Sequence, residues 1–148
     1  MSLGRMNDYA GDVSASEAYE LLGEQPKSQL VDVRTKAEWS FVGVPDLSAL
    51  DKEAILVEWQ RYPTMEVTPD FVAQLERELQ RRSVGQHDTV VFLCRSGVRS
   101  LAAAQAMLAA GWLGSRNIAG GFEGPVNADR HRGTVDGWKA AELPWVQS

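Results

Sequence analysis

The sequence predicts an α/β fold of three layers, in which helices cover both faces of a central parallel sheet. Short apolar runs at residues 29–33, 55–59 and 90–93 are typical of strands that are buried on both faces of such a sheet. Segments with helical periodicity lie between these runs, and this alternation favours parallel pairing of the strands. The 148 residues contain no internal repeat and no low-complexity linker, so a single domain is expected.

The first predicted helix covers residues 14–22. Ser14 and Glu17 have the spacing of a capping box, and the apolar residues that follow recur on one helical face. A break that contains a proline separates this helix from the strand at 29–33. The run at 55–59 is predicted as the next core strand.

The clearest helix is predicted at residues 68–82. Thr68 is a good N-cap residue, Pro69 suits the first turn, and the negative charge of Asp70 complements the helix dipole. The apolar residues of this segment repeat at helical spacing. The remaining predicted elements are a strand at 90–93, a buried helix at 101–110, a short strand at 117–119 and a terminal helical turn at 138–143.

Composition narrows the classes of function. The net charge of -5 argues against nucleic acid as a partner. The single cysteine, Cys94, excludes an internal disulfide and a zinc site built from cysteines. No segment has the pattern of a secretory signal or a membrane span, so a cytoplasmic, reducing location without membrane contact is expected. Residues 1–12 are predicted as a flexible lead-in to a domain at 13–146.

Cys94 stands at the junction between the strand at 90–93 and the helix that follows it. Backbone N–H groups and the positive end of the helix dipole converge at such a junction. These groups stabilise an anion, so a thiol in that position is expected to favour its thiolate form. A lone cysteine is more often a small buried apolar residue, but the residues that follow Cys94 favour an active-site loop instead.

The residues after Cys94 supply the rest of this predicted site. Two arginines provide positive charge and forked donors for an anionic substrate, and no acidic residue stands among them. We expect both arginines to serve donor binding rather than folding. A glycine in the loop allows a backbone conformation that a side chain would resist. The predicted substrate-binding residues are Arg95, Ser96, Gly97, Val98, Arg99 and Ser100.

The chain resembles the single-domain rhodaneses, a family of sulfurtransferases, in its loop Cys94-Arg95-Ser96-Gly97-Val98-Arg99-Ser100. Other segments match that family in the same order along the chain. They are Leu30-Val31-Asp32-Val33-Arg34, similar to its first core strand, Asn117-Ile118-Ala119-Gly120-Gly121-Phe122, similar to its last strand, and residues 137–144, similar to its closing segment. The resemblance covers residues 12–146 and implies a rhodanese-like α/β/α fold.

The resemblance also implies a two-step transfer of a sulfane sulfur. The Cys94 thiolate takes the outer sulfur of an anionic donor such as thiosulfate and becomes a persulfide. An acceptor such as cyanide or a thiol then removes that sulfur, which corresponds to ping-pong kinetics. A protein persulfide is an alternative donor. The covalent persulfide on Cys94 takes the place of a cofactor, so neither a cofactor nor a metal is expected.

Two other functions stay open. Cysteine-dependent phosphatases and arsenate reductases place an arginine after five intervening residues, whereas four residues separate Cys94 from Arg99. The shorter loop suits a persulfide sulfur better than a tetrahedral phosphate. The other alternative is a non-catalytic rhodanese-like module for binding or sulfur relay, because a fold alone does not determine a function.

Three further features bear on the predicted site. Asp32 and Arg34 are supporting candidates, although a structural ion pair is the favoured interpretation because buried charges are normally paired. Residues 41–47 lack the Gly-His-Ile-Pro-Gly-Ala-like segment of many rhodaneses, so the wall on the substrate side is expected to differ. Residues 122–137 form either a lid over the pocket or an ordinary surface loop.

Overall fold

The computed structural model describes residues 11–61 and 64–147, and all structural statements refer to these residues. The helices are α1 (Ala15–Glu24), α2 (Lys36–Val42), α3 (Phe71–Arg81) and α4 (Val98–Ala109). The strands are β1 (Asp12–Val13), β2 (Gln29–Asp32), β3 (Val44–Pro45), β4 (Ile55–Leu56), β5 (Gln60–Arg61), β6 (Glu66–Val67), β7 (Val90–Leu93), β8 (Ser115–Ile118) and β9 (Trp145–Val146).

Five of these strands form one parallel sheet in the order β1-β8-β7-β2-β4. The pairs β3–β9 and β5–β6 are short antiparallel ribbons outside it. In the parallel sheet Asp32 pairs with Leu93, and Phe92 pairs with Asn117. The carboxyl ends of β2, β7 and β8 therefore meet at one edge, where an open α/β sheet places its reactive groups.

Two apolar cores lie on opposite faces of the sheet. Phe92 packs on one face with Leu75 of α3 and Met107 of α4. Val91 packs on the other face with Leu22 of α1. Successive residues of a strand point to opposite faces, so a continuously apolar strand joins both cores. The predicted three-layer α/β/α fold is confirmed.

Most of the predicted elements are confirmed, with shifted ends. The capping box of α1 is present, because Ser14 N–H donates to Glu17 Oε1 at 2.9 Å and Glu17 N–H donates to Ser14 Oγ at 3.0 Å. The prediction that Thr68 caps α3 is wrong, because α3 begins at Phe71. The Thr68 hydroxyl instead donates to Glu58 O at 2.8 Å, so a tertiary contact takes the group that would have capped the helix.

Three other boundaries differ from the predictions. Helix α2 (Lys36–Val42) was not predicted. The predicted lead-in lies outside the described residues up to residue 10, but Asp12 at its end already belongs to β1. Residues 138–143 form hydrogen-bonded turns instead of a regular helix; one of their bonds runs from Ala141 N–H to Gly137 O at 3.0 Å.

Candidate active site

Cys94 directly follows β7, at the edge where the parallel strands end, and its side chain is 1% exposed. Gly97 stands at the N-cap position of α4 with a φ of 113°, a conformation that favours glycine. Its N–H donates to Cys94 Sγ at 3.0 Å. A backbone donor at a helix N-terminus therefore faces the sulfur, and this arrangement stabilises negative charge on it.

Ser100 gives the sulfur a second polar neighbour. It lies in the first turn of α4 and is fully buried, with its Oγ at 3.3 Å from Cys94 Sγ. The same hydroxyl contacts Asn117 Oδ1 on β8. Asn117 was not among the predicted site residues, although it is the one polar side chain in the segment 117–122 that matches the last rhodanese strand.

The segment that follows β8 forms backbone hydrogen bonds to the cysteine loop. Phe122 N–H donates to Cys94 O at 2.8 Å, and the N–H groups of Glu123 and Gly124 both donate to Arg95 O at 3.0 Å. The carbonyl groups of Cys94 and Arg95, at the start of the loop, therefore point towards the backbone of residues 122–124. The sequence also predicts that the Gly120-Gly121 backbone passes close to the site, and a Cβ atom at Gly121 would lie only 2.4 Å from Cys94 O.

Arg99 forms a bidentate ion pair with Glu38 of α2. Arg99 Nη1 lies 2.7 Å from Glu38 Oε1, and Nη2 lies 3.0 Å from Oε2, with both side chains less than a fifth exposed. This structural contact was not predicted for Arg99. The sequence contained a signal for α2 itself, because Thr35 and Glu38 have capping-box spacing and form that box at the start of the helix, but it contained none for the pairing with Arg99.

Arg95 lies on the open side of the loop. Its exposed side chain lines a cleft of about 390 Å³, together with Thr35, Ala37, Glu38, Val42, Met65 and Glu123. Val98 is 77% exposed and Ser96 is half-buried. A larger cleft of about 470 Å³ near Trp39 involves no residue of the cysteine loop. We therefore place the candidate site at the smaller cleft.

Asp32 and Arg34 form the buried ion pair that the sequence interpretation favoured, with both side chains 0% exposed. Arg34 Nη2 lies 2.6 Å from Asp32 Oδ2, and Arg34 Nε lies 2.9 Å from Asp32 Oδ1. Arg34 also donates to Gly43 O at 2.7 Å and lies 4.2 Å from the Phe122 ring centroid. The pair connects the end of β2 to the two segments that flank the cleft.

The segment 41–47 keeps its place in the fold without the expected motif. Gly43 has a φ of 108°, and a Cβ atom there would lie 2.8 Å from the Trp145 ring. This close approach lets Val44 and Pro45 pair with β9 near the end of the chain. The wall of the cleft beside Val42 is thus connected to the C-terminal strand.

The segment 122–137 behaves mainly as a surface loop. Asp129 and His131 are exposed, and their N–H groups both donate to Asn127 Oδ1, which closes a local turn. Glu123, at the start of the segment, lines the cleft. The lid interpretation therefore finds no support in the contacts of the 127–131 turn.

The described residues show neither a metal-binding cluster nor a membrane-spanning helix. They contain no group of three or more histidine, cysteine or carboxylate side chains that could hold a metal ion. In the same part of the chain, no helix has the length and apolar character needed to cross a membrane.

The Glu38–Arg99 pair predicts a specific dependence of stability on pH. Burial raises the pKa of Glu38. Hydrogen bonds from Arg99 and the Thr35 backbone, together with the charges of Arg99 and Arg34, lower the pKa by more than burial raises it, so that it is about 2. The folded-state pKa thus lies below the ordinary value of 4.5. The stabilisation is therefore complete above pH 4.5 and is lost as the pH falls towards 2.

We expect Glu38→Gln to lower the free energy of unfolding near neutral pH by about 2 kcal/mol, the size of a charged hydrogen bond. The difference from wild type should shrink as the pH falls through the window above. Urea denaturation at a series of pH values measures it. Glu24→Gln, which changes an exposed carboxylate on α1, is the control and should stay within about 0.5 kcal/mol of wild type. A Glu38→Gln difference that is constant with pH would contradict the prediction.

Comparisons with known proteins identify relatives along nearly the whole chain. Residues 10–148 match the protein family described as the STR4 middle domain. An uncharacterised protein of Rickettsia conorii is 35% identical over 134 residues, which cover 90% of this chain and 95% of that protein. A chloroplastic protein of Arabidopsis thaliana named thiosulfate sulfurtransferase 16 is 30% identical over 113 residues, which cover 74% of this chain and 82% of that protein.

Solved structures show the same fold. The crystal structure of Rv0390 from M. tuberculosis is 44% identical, covers 95% of this chain and 100% of its own, and superposes with a TM-score of 0.84. A rhodanese-like domain protein from Staphylococcus aureus is 22% identical and covers 75% of this chain and 86% of its own, with a TM-score of 0.50. At that identity the likeness concerns the fold alone, and it confirms the rhodanese-like architecture that the resemblance implies.

Proposed function

Because the chain belongs to the STR4 middle domain family and has a rhodanese-like fold, we propose that it is a sulfurtransferase that works through a persulfide on Cys94. The observation that carries this proposal is the donation from Gly97 N–H to Cys94 Sγ at 3.0 Å, at the N-terminus of α4. Ser100 Oγ lies 3.3 Å from the same sulfur and can donate to it only when its hydrogen leaves Asn117 Oδ1. Donors fixed in advance around a sulfur stabilise both a thiolate and a persulfide anion.

The proposed reaction has two displacements at sulfur. The Cys94 thiolate attacks the outer sulfur of thiosulfate, a new S–S bond forms, and sulfite leaves with the electron pair of the broken S–S bond. A nucleophilic acceptor then attacks the outer sulfur of the persulfide and restores the thiolate. With cyanide as acceptor the product is thiocyanate. The charges balance in each step, so the proposal requires no cofactor, metal or external oxidant.

The two arginines have different roles in this proposal. Arg95, exposed at the cleft, is the candidate for binding the anionic donor. Arg99 is engaged by Glu38, whose hydrogen bonds are the main cause of its raised pKa, and a smaller electrostatic contribution comes from Cys94. Arg99 therefore holds α2 against the loop and adds positive potential near the sulfur.

The name of the Arabidopsis relative supports thiosulfate as a donor class. A protein persulfide as donor and a thiol as acceptor are further proposals for the same cysteine, and the proposed setting is the cytoplasm. We propose no nucleic acid or membrane as a partner. The pairing of Arg99 with Glu38 counts against a phosphatase, because that guanidinium is directed to a carboxylate of the protein.

Intact-mass measurement after incubation with thiosulfate tests the proposal. We expect a gain of one sulfur atom in the wild type, loss of that atom when cyanide is added, and no gain in Cys94→Ser. The same samples should hydrolyse no aryl phosphate. Absence of a mass gain with both thiosulfate and a small-molecule persulfide would leave a binding module as the better description.

A further inference from the structure

Asn117 contacts the cysteine loop through both ends of its side-chain amide. The residue is 4% exposed and lies on β8, beside the strand that leads to Cys94. Its Nδ2 donates to Gly97 O at 3.2 Å and to Asp12 Oδ1 at 3.3 Å. Its Oδ1 accepts the hydroxyl hydrogen of Ser100.

The direction of these bonds follows from the chemistry of the partners. A carbonyl and a carboxylate only accept hydrogen bonds, so the NH₂ end of Asn117 must face Gly97 O and Asp12. The carbonyl end then faces Ser100 and can only accept. A hydroxyl has one hydrogen. When that hydrogen lies on Asn117 Oδ1, Ser100 Oγ turns its lone pairs to Cys94 Sγ.

This orientation has opposite effects on the two forms of Cys94. A neutral thiol can donate its hydrogen to Ser100 Oγ while the Ser100 hydroxyl donates to Asn117 Oδ1, so both hydrogen bonds form together. A thiolate has no hydrogen to donate and needs the hydroxyl to turn towards it, which breaks the bond between Ser100 and Asn117. Gly97 N–H donates to the sulfur in both forms and favours the thiolate.

We propose that Asn117 is a positioning residue that acts through Ser100 on Cys94. By drawing the hydroxyl hydrogen to itself, Asn117 keeps that hydrogen away from the Cys94 sulfur and favours the neutral thiol over the thiolate. This inference rests on the proposed function only in that Cys94 is the reactive group. Its test measures alkylation, which does not require transferase activity.

Several charged groups lie near the cysteine loop and stay in place when Asn117 is replaced. Arg99 interacts with the cysteine electrostatically. Other charged side chains near the loop are Arg95 within it, Asp32 and Arg34 at the end of β2, Glu38 on α2, Asp12 on β1, Glu123 after β8, and Asp136 beside Gly120. Neither Asn117→Leu nor Ser100→Ala changes any of these charges, and Asn117→Asp adds one negative charge.

A double-mutant cycle tests the inference on the full chain. The rate of Cys94 alkylation by iodoacetamide is measured against pH in wild type, Asn117→Leu, Ser100→Ala and the double variant. Since Cys94 is the single cysteine, intact mass reports its modification directly. We expect Asn117→Leu to lower the midpoint pH by about half a unit, the size of one neutral hydrogen bond. In the Ser100→Ala background the same change should leave the midpoint where it is.

An equal shift in both backgrounds, or no shift in either, would overturn the inference, because Asn117 would then act on the loop without the hydroxyl. If Asn117→Leu does not fold, Asn117→Asp replaces it in the cycle. Its carboxylate keeps an acceptor for Ser100 and adds negative charge, so the midpoint should rise, and by more with Ser100 present than with alanine there. An equal rise in both backgrounds would be a charge effect alone and would also overturn the inference.

Discussion

Arg34→Met is expected to lower the free energy of unfolding by about 3–5 kcal/mol, the cost of leaving a buried charge without its partner. Asp32 and Arg34 are both 0% exposed, and the guanidinium supplies two of the donors to that carboxylate. Methionine keeps much of the length and apolar contact of the arginine but none of its donors. The bond to Gly43 O is lost as well. Urea denaturation near neutral pH measures the change.

Two further variants separate the buried charge from the loss of side-chain packing. Asp32→Asn combined with Arg34→Met removes both charges and should recover part of the lost stability. Arg81→Met breaks an exposed ion pair on α3 and should cost no more than about 1 kcal/mol. A cost for Arg34→Met as small as that for Arg81→Met would show that the buried pair does not stabilise the fold.

Gly121→Ala is expected to slow both Cys94 alkylation and sulfur loading by about tenfold or more, because a one-ångström displacement of a site can cost that much. Gly121 has a φ of 62°, and a Cβ atom there would lie 2.4 Å from Cys94 O and 2.7 Å from the Arg95 carbonyl. Both contacts are with backbone, so the cysteine loop has to move. The displaced loop would no longer hold Gly97 N–H at its distance from the sulfur.

Gly133→Ala is the matched control for this variant. Gly133 has a φ of 90°, and an added Cβ atom would meet only the Lys139 side chain, at 3.8 Å. It therefore carries the cost of a left-handed conformation, about 1–2 kcal/mol, without a contact on the cysteine loop. Alkylation of Cys94 should proceed at the wild-type rate in Gly133→Ala. Equal slowing in both variants would point to general loss of structure instead of displacement of the site.

The elements that local pattern determines were predicted well. The apolar runs that became β2 and β7 have a short-range signature, and so do the capping box of α1 and the apolar face of α3. The position of Cys94 at a strand end before a helix follows from the same patterns. The two-residue strands β1, β3, β5, β6 and β9 were missed, because so few residues show no periodicity, whereas β4 lies within the predicted run at 55–59.

The environment of the cysteine is the part that the sequence did not contain in readable form. Glu38 and Arg99 lie 61 positions apart, and Ser100 and Asn117 lie 17 apart. Their side chains meet because β2, β7 and β8 are parallel neighbours whose carboxyl ends share one edge. The sequence by itself determined the three-layer fold and the cysteine loop, since both depend on local periodicity and on adjacent residues. Only the tertiary structure decided which arginine is engaged by a carboxylate and which amide orients the hydroxyl beside the sulfur, because these pairings depend on distances between separate strands and helices.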